Sequence, residues 1–331
     1  MSRAVQYRKF GGPGILQMAE VADPAPSGGE VRVAVKAVGL NPVDAKIFGG
    51  DIRLKILESI QCLTHPVRWF GSPRFPRGVA RDFAGCVDAV GPYVQGFEIG
   101  QPVLGTLRSA PGLGNTKGAL ADKLIASVDD VVNKPESISF EVAASLGVAA
   151  QTVGGAFRQL DLNNGDVIVI SAASGGMGSL ASQIAIHRGA TVIGIAGKRN
   201  TDYLRSLGAI PVSYGEDLKS RILAMTPRAV TKFLDCYGGG YVKLGFALGL
   251  PGHAIGTLIP SPGAIIRGAQ FTGSRHAQPG DLPEITGLVA DGAAKVALAQ
   301  VYPFTIESVR EAYTELNAGH VRGKLVVSLS R

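Results

Sequence analysis

The amino-acid sequence predicts an α/β protein with two dissimilar parts, a β-rich barrel and a doubly wound parallel sheet. Three observations predict it. In the first third, short strand-like runs are separated by glycine and proline, as where Val31, Val33 and Val35 alternate with Arg32, Ala34 and Lys36. From about Asp166 the pattern turns to strands alternating with helices, starting at the apolar run Val167-Ile168-Val169-Ile170. That run leads through Ser171-Ala172-Ala173-Ser174-Gly175-Gly176-Met177-Gly178 into a segment with helical apolar spacing, Leu180, Ala181, Ile184 and Ala185.

Size and composition set the limits. The chain has 331 residues, enough for two domains with a substantial core. A hydrophobic content of 46% excludes a disordered chain. No apolar run reaches about 18 residues, which argues against a helical membrane span. The polar start, Met1 to Phe10, has no apolar signal core, so a cytoplasmic chain is expected. Cys62, Cys86 and Cys236 are few and far apart, which fits neither a disulfide scaffold nor a four-cysteine zinc lobe. The five histidines show no metal-like spacing, and no metal site is expected. A net charge of +7 would suit an anionic partner, yet no dense basic stripe is interleaved with aromatic residues, and nucleic acid is not expected as a partner.

The elements follow in order. The strand through Val31 to Lys36 is bounded by Ser27-Gly28-Gly29 and by Gly39 with Asn41-Pro42. Strands are expected over Phe83 to Val90 and Gln101 to Gly105. Asp51 to Val79 is the least regular stretch, with a short helix expected near Ile52 to Cys62 and then a loop holding Trp69 and Phe70. In the second part, Val167 to Ile170 is the first strand, a helix ends near Arg188-Gly189, and Thr191 to Ile195 is the second strand. Asn200 is placed to cap the next helix, where Tyr203, Leu204 and Leu207 have helical spacing and Gly208 ends it. Pro211 to Ser213, Lys232 to Asp235, His253 to Leu258 and Gln270 to Thr272 read as strands, and Asp217 to Met225 as a helix. Such alternation gives right-handed crossovers. Ile306 to Leu316 is amphipathic and helical, and Lys324 to Leu329 is a strand that returns to the first domain. The sheet domain, 126–274, is therefore expected to interrupt a barrel domain made of 1–125 and 275–331.

The strand, glycine-rich turn and helix start form a phosphate cradle. Small residues let the backbone approach a pyrophosphate, and free N–H groups at the helix start point at its charge. Ala173, Ser174, Gly175, Gly176, Met177 and Gly178 are its candidate contacts.

In their order and spacing, several stretches resemble the medium-chain dehydrogenase/reductase superfamily, specifically its zinc-free quinone oxidoreductase branch, over nearly the whole length. They are Val38-Gly39-Leu40-Asn41-Pro42-Val43-Asp44, then Asp82-Phe83-Ala84-Gly85 with Val90-Gly91, Gly100 and Val103-Leu104-Gly105. Gly118-Ala119-Leu120-Ala121, Lys134-Pro135, Ala143-Ala144, Thr152, the spaced Ala172, Gly175 and Gly178, and the closing Gly323-Lys324-Leu325-Val326 complete the set. The resemblance implies a GroES-like barrel domain and a Rossmann domain with a nicotinamide in the cleft between them. It also implies a homodimer formed through sheet edges, and reduction of quinones or activated carbon–carbon double bonds. Zinc-dependent relatives have a cysteine where Asn41 stands and a Gly-His-Glu motif in the region of Val79-Ala80-Arg81-Asp82. An amide is a poor zinc ligand, so both zinc sites are expected to be absent.

The cofactor is expected to be NADPH. Sites for NAD usually end the second strand in a carboxylate that bonds the ribose 2′-hydroxyl. Here the strand ends in Gly197-Lys198-Arg199-Asn200, two cations where a 2′-phosphate would sit. The alternative is two solvated charges at a helix start, a slightly unfavourable place for cations. Asn200 reads equally as helix cap or cofactor contact. By resemblance, Tyr214 would pack at the adenosine phosphate or ribose, and Thr152 near the nicotinamide or pyrophosphate. Gly256, Thr257, Phe271 and Thr272 would line the nicotinamide. Taken alone, Tyr214 is a strand-end tyrosine, Thr152 a helix-surface threonine, and the other four turn or strand-end residues.

Two residues are candidates for the reaction itself. The Asn41 amide can donate to an oxygen that gains negative charge, and Asp44 could orient a water or the cofactor ribose. Asn-Pro also favours a plain turn by itself. The expected partner is a small molecule, a quinone or an enone. The rival reading is an NADPH-binding structural or regulatory protein with little turnover, because a fold and a cofactor site do not guarantee activity.

Overall fold

Where the sequence alternates the chain pairs antiparallel, and where it runs apolar for four residues it pairs parallel. The computed structural model describes residues 1–52, 54, 75–107, 117–226, 228–259 and 262–330. All of the helix expected near Ile52 to Cys62 except Ile52 and Leu54, and the loop with Trp69 and Phe70, fall on residues outside these. Cα packing divides the chain into two units, Met1–Val148 with Leu298–Arg331, and Ala149–Ala297.

The first unit begins with β1 (Ser2–Tyr7), β2 (Gln17–Val21), β3 (Glu30–Gly39), β4 (Arg77–Gly78) and β5 (Asp82–Val90). It continues with β6 (Pro102–Thr106), β7 (Lys123–Ser127) and β8 (Val131–Asn133). The second unit holds β9 (Val167–Ile170), β10 (Thr191–Ala196), β11 (Ile210–Ser213), β12 (Lys232–Asp235), β13 (Ile255–Thr257) and β14 (Gln270–Phe271). The chain then returns to the first unit as β15 (Leu298–Pro303) and β16 (Lys324–Ser328). One seven-stranded sheet runs β15-β16-β3-β5-β6-β8, with β7 also on β3; a small sheet runs β2-β1-β4. This is the GroES-like domain. Val31, Val33, Phe83, Val87, Val103 and Leu325 pack in its core.

In the second unit the order β11-β10-β9-β12-β13-β14, all parallel, is that of a Rossmann-like sheet. Val167 to Ile170 is buried along its whole length, as a central parallel strand must be. The order reverses direction at β9, so the turn after β9 sits at the point where such sheets bind their ligands.

The units divide at 148/149 and 297/298, while the sequence reading put its limits at 125/126 and 274/275. Residues 126–148 side with the barrel because β7 pairs β3, β8 pairs β6 and the helix Phe140–Ala144 lies against β3, where a Cβ at Gly39 would meet the Ala144 carbonyl. Residues 275–297 side with the parallel sheet unit, where Asp281 pairs with Arg158 and Gln183 holds the Lys295 backbone. Among the described residues, no helix is long and apolar enough to cross a membrane.

Candidate functional site

The candidate residues gather in two clusters, one in each unit. The barrel cluster forms where three strands of remote sequence end together. β3 and β16 are antiparallel with Val326 opposite Gly39, and that register carried two residues on puts Lys324 opposite Asn41. β3 and β5 pair Gly39 with Asp82. Asn41, Asp82 and Lys324 are thereby brought together, 4%, 0% and 7% exposed. Asn41 Nδ2 donates to Asp82 Oδ2 at 2.9 Å, and Lys324 Nζ donates to Asn41 Oδ1 at 2.6 Å and to the Leu40 carbonyl at 3.2 Å. Lys324 Nζ lies 3.9 Å from Asp82 Oδ2. The other oxygen of Asp82 accepts from the Val148 N–H at 2.8 Å, in the first turn of the helix Gly147–Gln159.

Burial pushes Asp82 up and Lys324 down from their ordinary values, and the attraction between them opposes both shifts. Burial likewise lowers the Arg81 guanidinium, against the charges of Asp44 and Asp82.

The Asn41-Pro42-Val43-Asp44 stretch is a helix start, not a plain turn. Asn41 is the N-cap of Pro42–Gly49 and Asp44 stands in its first turn, where Asp44 Oδ2 accepts the Asn41 N–H at 2.9 Å. The Tyr313 hydroxyl is 3.5 Å from the same oxygen. Asp44 Oδ1 is buried without a hydrogen-bond partner, beside a cavity of about 10 Å³ lined by Tyr7, Phe48 and Val79, room for one water at most. Burial raises the Asp44 carboxyl to about 7.

The second cluster is the turn after β9 and the segments beside it. The helix Gly176–His187 starts at Gly175 with no side-chain cap, so its first N–H groups have no partner from its own turn. Two glycines differ in what surrounds them. A Cβ at Gly178 would lie 2.3 Å from the Ala172 carbonyl oxygen, so this glycine lets the helix approach the strand; one at Gly175 would meet only that oxygen, at 3.4 Å. Gly175 thus leaves space that the protein does not fill. Ala173 is buried, and Ser174, Gly176 and Met177 are half-buried along the turn.

Lys198 and Arg199 are exposed in the turn Lys198–Asn200 after β10. Asn200 does not cap the next helix, Thr201–Ser206: its Nδ2 donates instead to Ser174 Oγ at 3.0 Å, tying the two loops together. The Tyr214 ring lies against Gly197, where a Cβ would be 3.2 Å from the hydroxyl, and the side chain is 55% exposed.

Thr152 is buried in its helix, unlike a helix-surface threonine, and its methyl group lies near Gly273. Gly256 is a packing glycine, since a Cβ there would meet Thr272 and Leu160. Thr257 Oγ1 donates to Asp235 Oδ2 at 3.0 Å. Phe271 carries the Arg275 guanidinium over its ring at 5.2 Å. Thr272 Oγ1 is buried with no hydrogen-bond partner.

Sequence reasoning gave no role to Asp82, Lys324 or Asp235. Asp235 Oδ1 takes the Ser171 hydroxyl at 2.8 Å and the N–H groups of Tyr237 and Gly238, holding the loop after β12 to the strand end of β9. The available signal was a lone charge at the end of an apolar run, Asp82 before Phe83-Ala84, Lys324 before Leu325-Val326-Val327, and Asp235 after Phe233-Leu234.

Among the described residues, no group of three His, Cys, Asp or Glu side chains could hold a metal ion. Cys86 and Cys236 are free thiols, and Cys62 lies outside the described residues.

Residues 27–136 match the alcohol dehydrogenase GroES-like domain, and residues 215–327 match the zinc-binding dehydrogenase family. The quinone-oxidoreductase QR1 of Triphysaria versicolor is 29% identical, over 99% of this chain and 98% of that protein. A quinone oxidoreductase of Pseudomonas aeruginosa is 28% identical, over 99% of each. The structure of the quinone oxidoreductase from Coxiella burnetii superposes with a TM-score of 0.83 at 27% identity, over 99% of each chain.

Proposed function

Because the chain belongs to the medium-chain dehydrogenase/reductase superfamily, in its quinone oxidoreductase branch, we propose that it is an NADPH-dependent, zinc-independent reductase of quinones or of the activated double bonds of α,β-unsaturated carbonyls. The family is one of nicotinamide-dinucleotide-dependent oxidoreductases. The observation that carries the choice of NADPH is the end of β10: Lys198 and Arg199 are exposed there, with Tyr214 beside Gly197 and no carboxylate in Gly197-Lys198-Arg199-Asn200. A carboxylate would repel a 2′-phosphate, whereas a guanidinium and an ammonium attract it.

The residues fit the dinucleotide. The open face of Gly175 and the uncapped N–H groups of Gly176, Met177 and Gly178 suit the pyrophosphate, and the orphaned Thr272 hydroxyl suits a polar group of the nicotinamide end. When bound, NADPH supplies the hydride. The protein's part is to align the acceptor, exclude water and stabilise the negative charge that grows on the acceptor oxygen. Asn41 serves the last need, because one of its two Nδ2 hydrogens bonds Asp82 and the second remains. No side chain is needed as proton donor if the product takes its proton from water. The donor set at Asn41 does not fit zinc, since an ammonium already occupies the amide oxygen. A homodimer paired along β14, the edge of the parallel sheet, completes the reading.

The test is NADPH oxidation against a panel of quinones and enones, with and without a zinc chelator. Turnover unaffected by the chelator, with kcat/KM for NADPH about tenfold or more above that for NADH, is expected. NADPH binding without turnover on any acceptor would make the chain a structural or regulatory cofactor binder instead. Activity lost to the chelator would overturn the metal-free mechanism.

A further inference from the structure

An asparagine amide can be turned end for end at little cost unless its neighbours distinguish oxygen from nitrogen. The neighbours of Asn41 do so at both ends. An ammonium only donates, so the atom facing Lys324 Nζ at 2.6 Å is the carbonyl oxygen. An ionised carboxylate only accepts, so the atom facing Asp82 Oδ2 at 2.9 Å is the nitrogen. Each clamp is itself held. Lys324 is anchored by the β16 register and by the Leu40 carbonyl, and Asp82 by the Val148 N–H on its other oxygen.

Stability alone does not explain this arrangement. Desolvating an ammonium and a carboxylate costs about what their attraction returns, and an apolar trio of similar volume would hold the strands together as well. The polar trio gives something an apolar one cannot, a donor fixed in direction. The pull of Lys324 on Oδ1 also draws electron density from the amide, which makes the remaining N–H a stronger donor.

We propose that Lys324 and Asp82 are positioning residues that lock the Asn41 amide in one orientation, so that its remaining Nδ2 hydrogen is presented to the oxygen of the acceptor. The proposal rests on the reductase reading for its last clause; the lock itself is a property of the cofactor-free chain. Neither clamp residue touches the acceptor.

The lock is read directly from the Asn41 side-chain amide in protein labelled with ¹⁵N-asparagine, its signal assigned by its loss in Asn41→Asp. In the wild type the two amide hydrogens are expected to be inequivalent and slow to exchange with solvent. Lys324→Met, which keeps the length and removes the donor, is expected to speed that exchange at least about tenfold. It is also expected to lower kcat by about 10- to 100-fold, with KM for NADPH within about twofold. Unchanged amide exchange in Lys324→Met overturns the lock, whatever the activity. Faster exchange with unchanged kcat overturns its role in turnover.

The exchanged pair Asn41→Asp with Asp82→Asn guards against simple misfolding. It keeps the net charge, the Lys324 bond, the Val148 bond and a bond between positions 41 and 82, yet leaves only acceptors at 41. The expected outcome is a folded chain that binds NADPH as the wild type does, with kcat down about 100-fold. Wild-type kcat in this double variant overturns the proposal. A wild type that reduces no acceptor speaks against the reductase reading alone, because the exchange measurement still decides the lock.

Discussion

The barrel cluster and the turn after β9 solve opposite problems. Around Asn41, Asp82 and Lys324 the polar groups are buried and bond one another across three strands, with one Asn41 Nδ2 hydrogen left over. Around Gly175 the backbone N–H groups are uncapped, the nearby cations are exposed, and the space beside the glycine is open. The first arrangement costs desolvation and yields fixed geometry. The second leaves helix-start N–H groups without a side-chain cap. The difference teaches where substitutions will act, on folding in the barrel and on affinity in the turn.

Removing one member of the buried pair breaks the comparison most severely. Asp82→Ala leaves the Lys324 ammonium buried without its carboxylate and the Val148 N–H without its acceptor. A loss of about 3–5 kcal/mol is expected in denaturant unfolding. A loss below about 1 kcal/mol would mean that the cluster is not as dry and coupled as its burial indicates.

Gly175→Val probes the open side. A Cβ there meets only the Ala172 carbonyl oxygen, at 3.4 Å, so the melting temperature is expected to stay within about 3 °C while the Kd for NADPH rises at least about 100-fold. Gly178→Val in the same turn is expected to fail at folding, because its Cβ would stand 2.3 Å from that carbonyl oxygen. If Gly175→Val binds NADPH normally, the turn is not the pyrophosphate site.

The paired change Lys198→Ala with Arg199→Ala sharpens the electrostatic half. KM for NADPH is expected to rise by about 10- to 30-fold and KM for NADH by less than about threefold, with the difference shrinking at high salt. Equal effects on the two cofactors would remove the 2′-phosphate assignment.

A pH-dependent effect concerns Asp44. Its carboxyl sits at about 7 against an ordinary 3.8, because burial outweighs the Asn41 N–H bond that favours the anion. The folded chain therefore keeps a proton that the unfolded chain releases above about pH 4. The stability this confers is complete below about pH 4 and is lost as pH rises through 7. Asp44→Asn lacks that loss, so wild-type stability relative to Asp44→Asn is expected to fall by about 2 kcal/mol between about pH 5 and about pH 8. A pH-independent difference would show that the carboxyl ionises normally in the folded chain.

The two regions also differ in how much of them could be read in advance. The strand, glycine turn and helix were legible because they are local: they follow one another within Val167 to His187, and the cations follow the very next strand. The Asn200 cap was misread for the same local reason. A cap is decided by neighbours in sequence, whereas Asn200 reaches Ser174, 26 residues away. The barrel strands were legible in part. β3, β5, β6 and β16 announce themselves by alternation or apolar runs, while β1 and β15 are mixed in character and went unread.

By itself the sequence determined the α/β class, the change of style near Asp166, the glycine-rich turn between strand and helix, and the lack of an acid in the turn after β10. All are patterns of period, residue size or charge within about 20 residues, which the chain expresses wherever it folds. Only the tertiary structure decided that Asp82 and Lys324 grip the amide of Asn41, and that Asp44 is buried enough to hold its proton near neutrality. Residues 41, 82 and 324 meet only through strand register. A buried charge takes its partners, and its ionisation, from whatever the fold places around it.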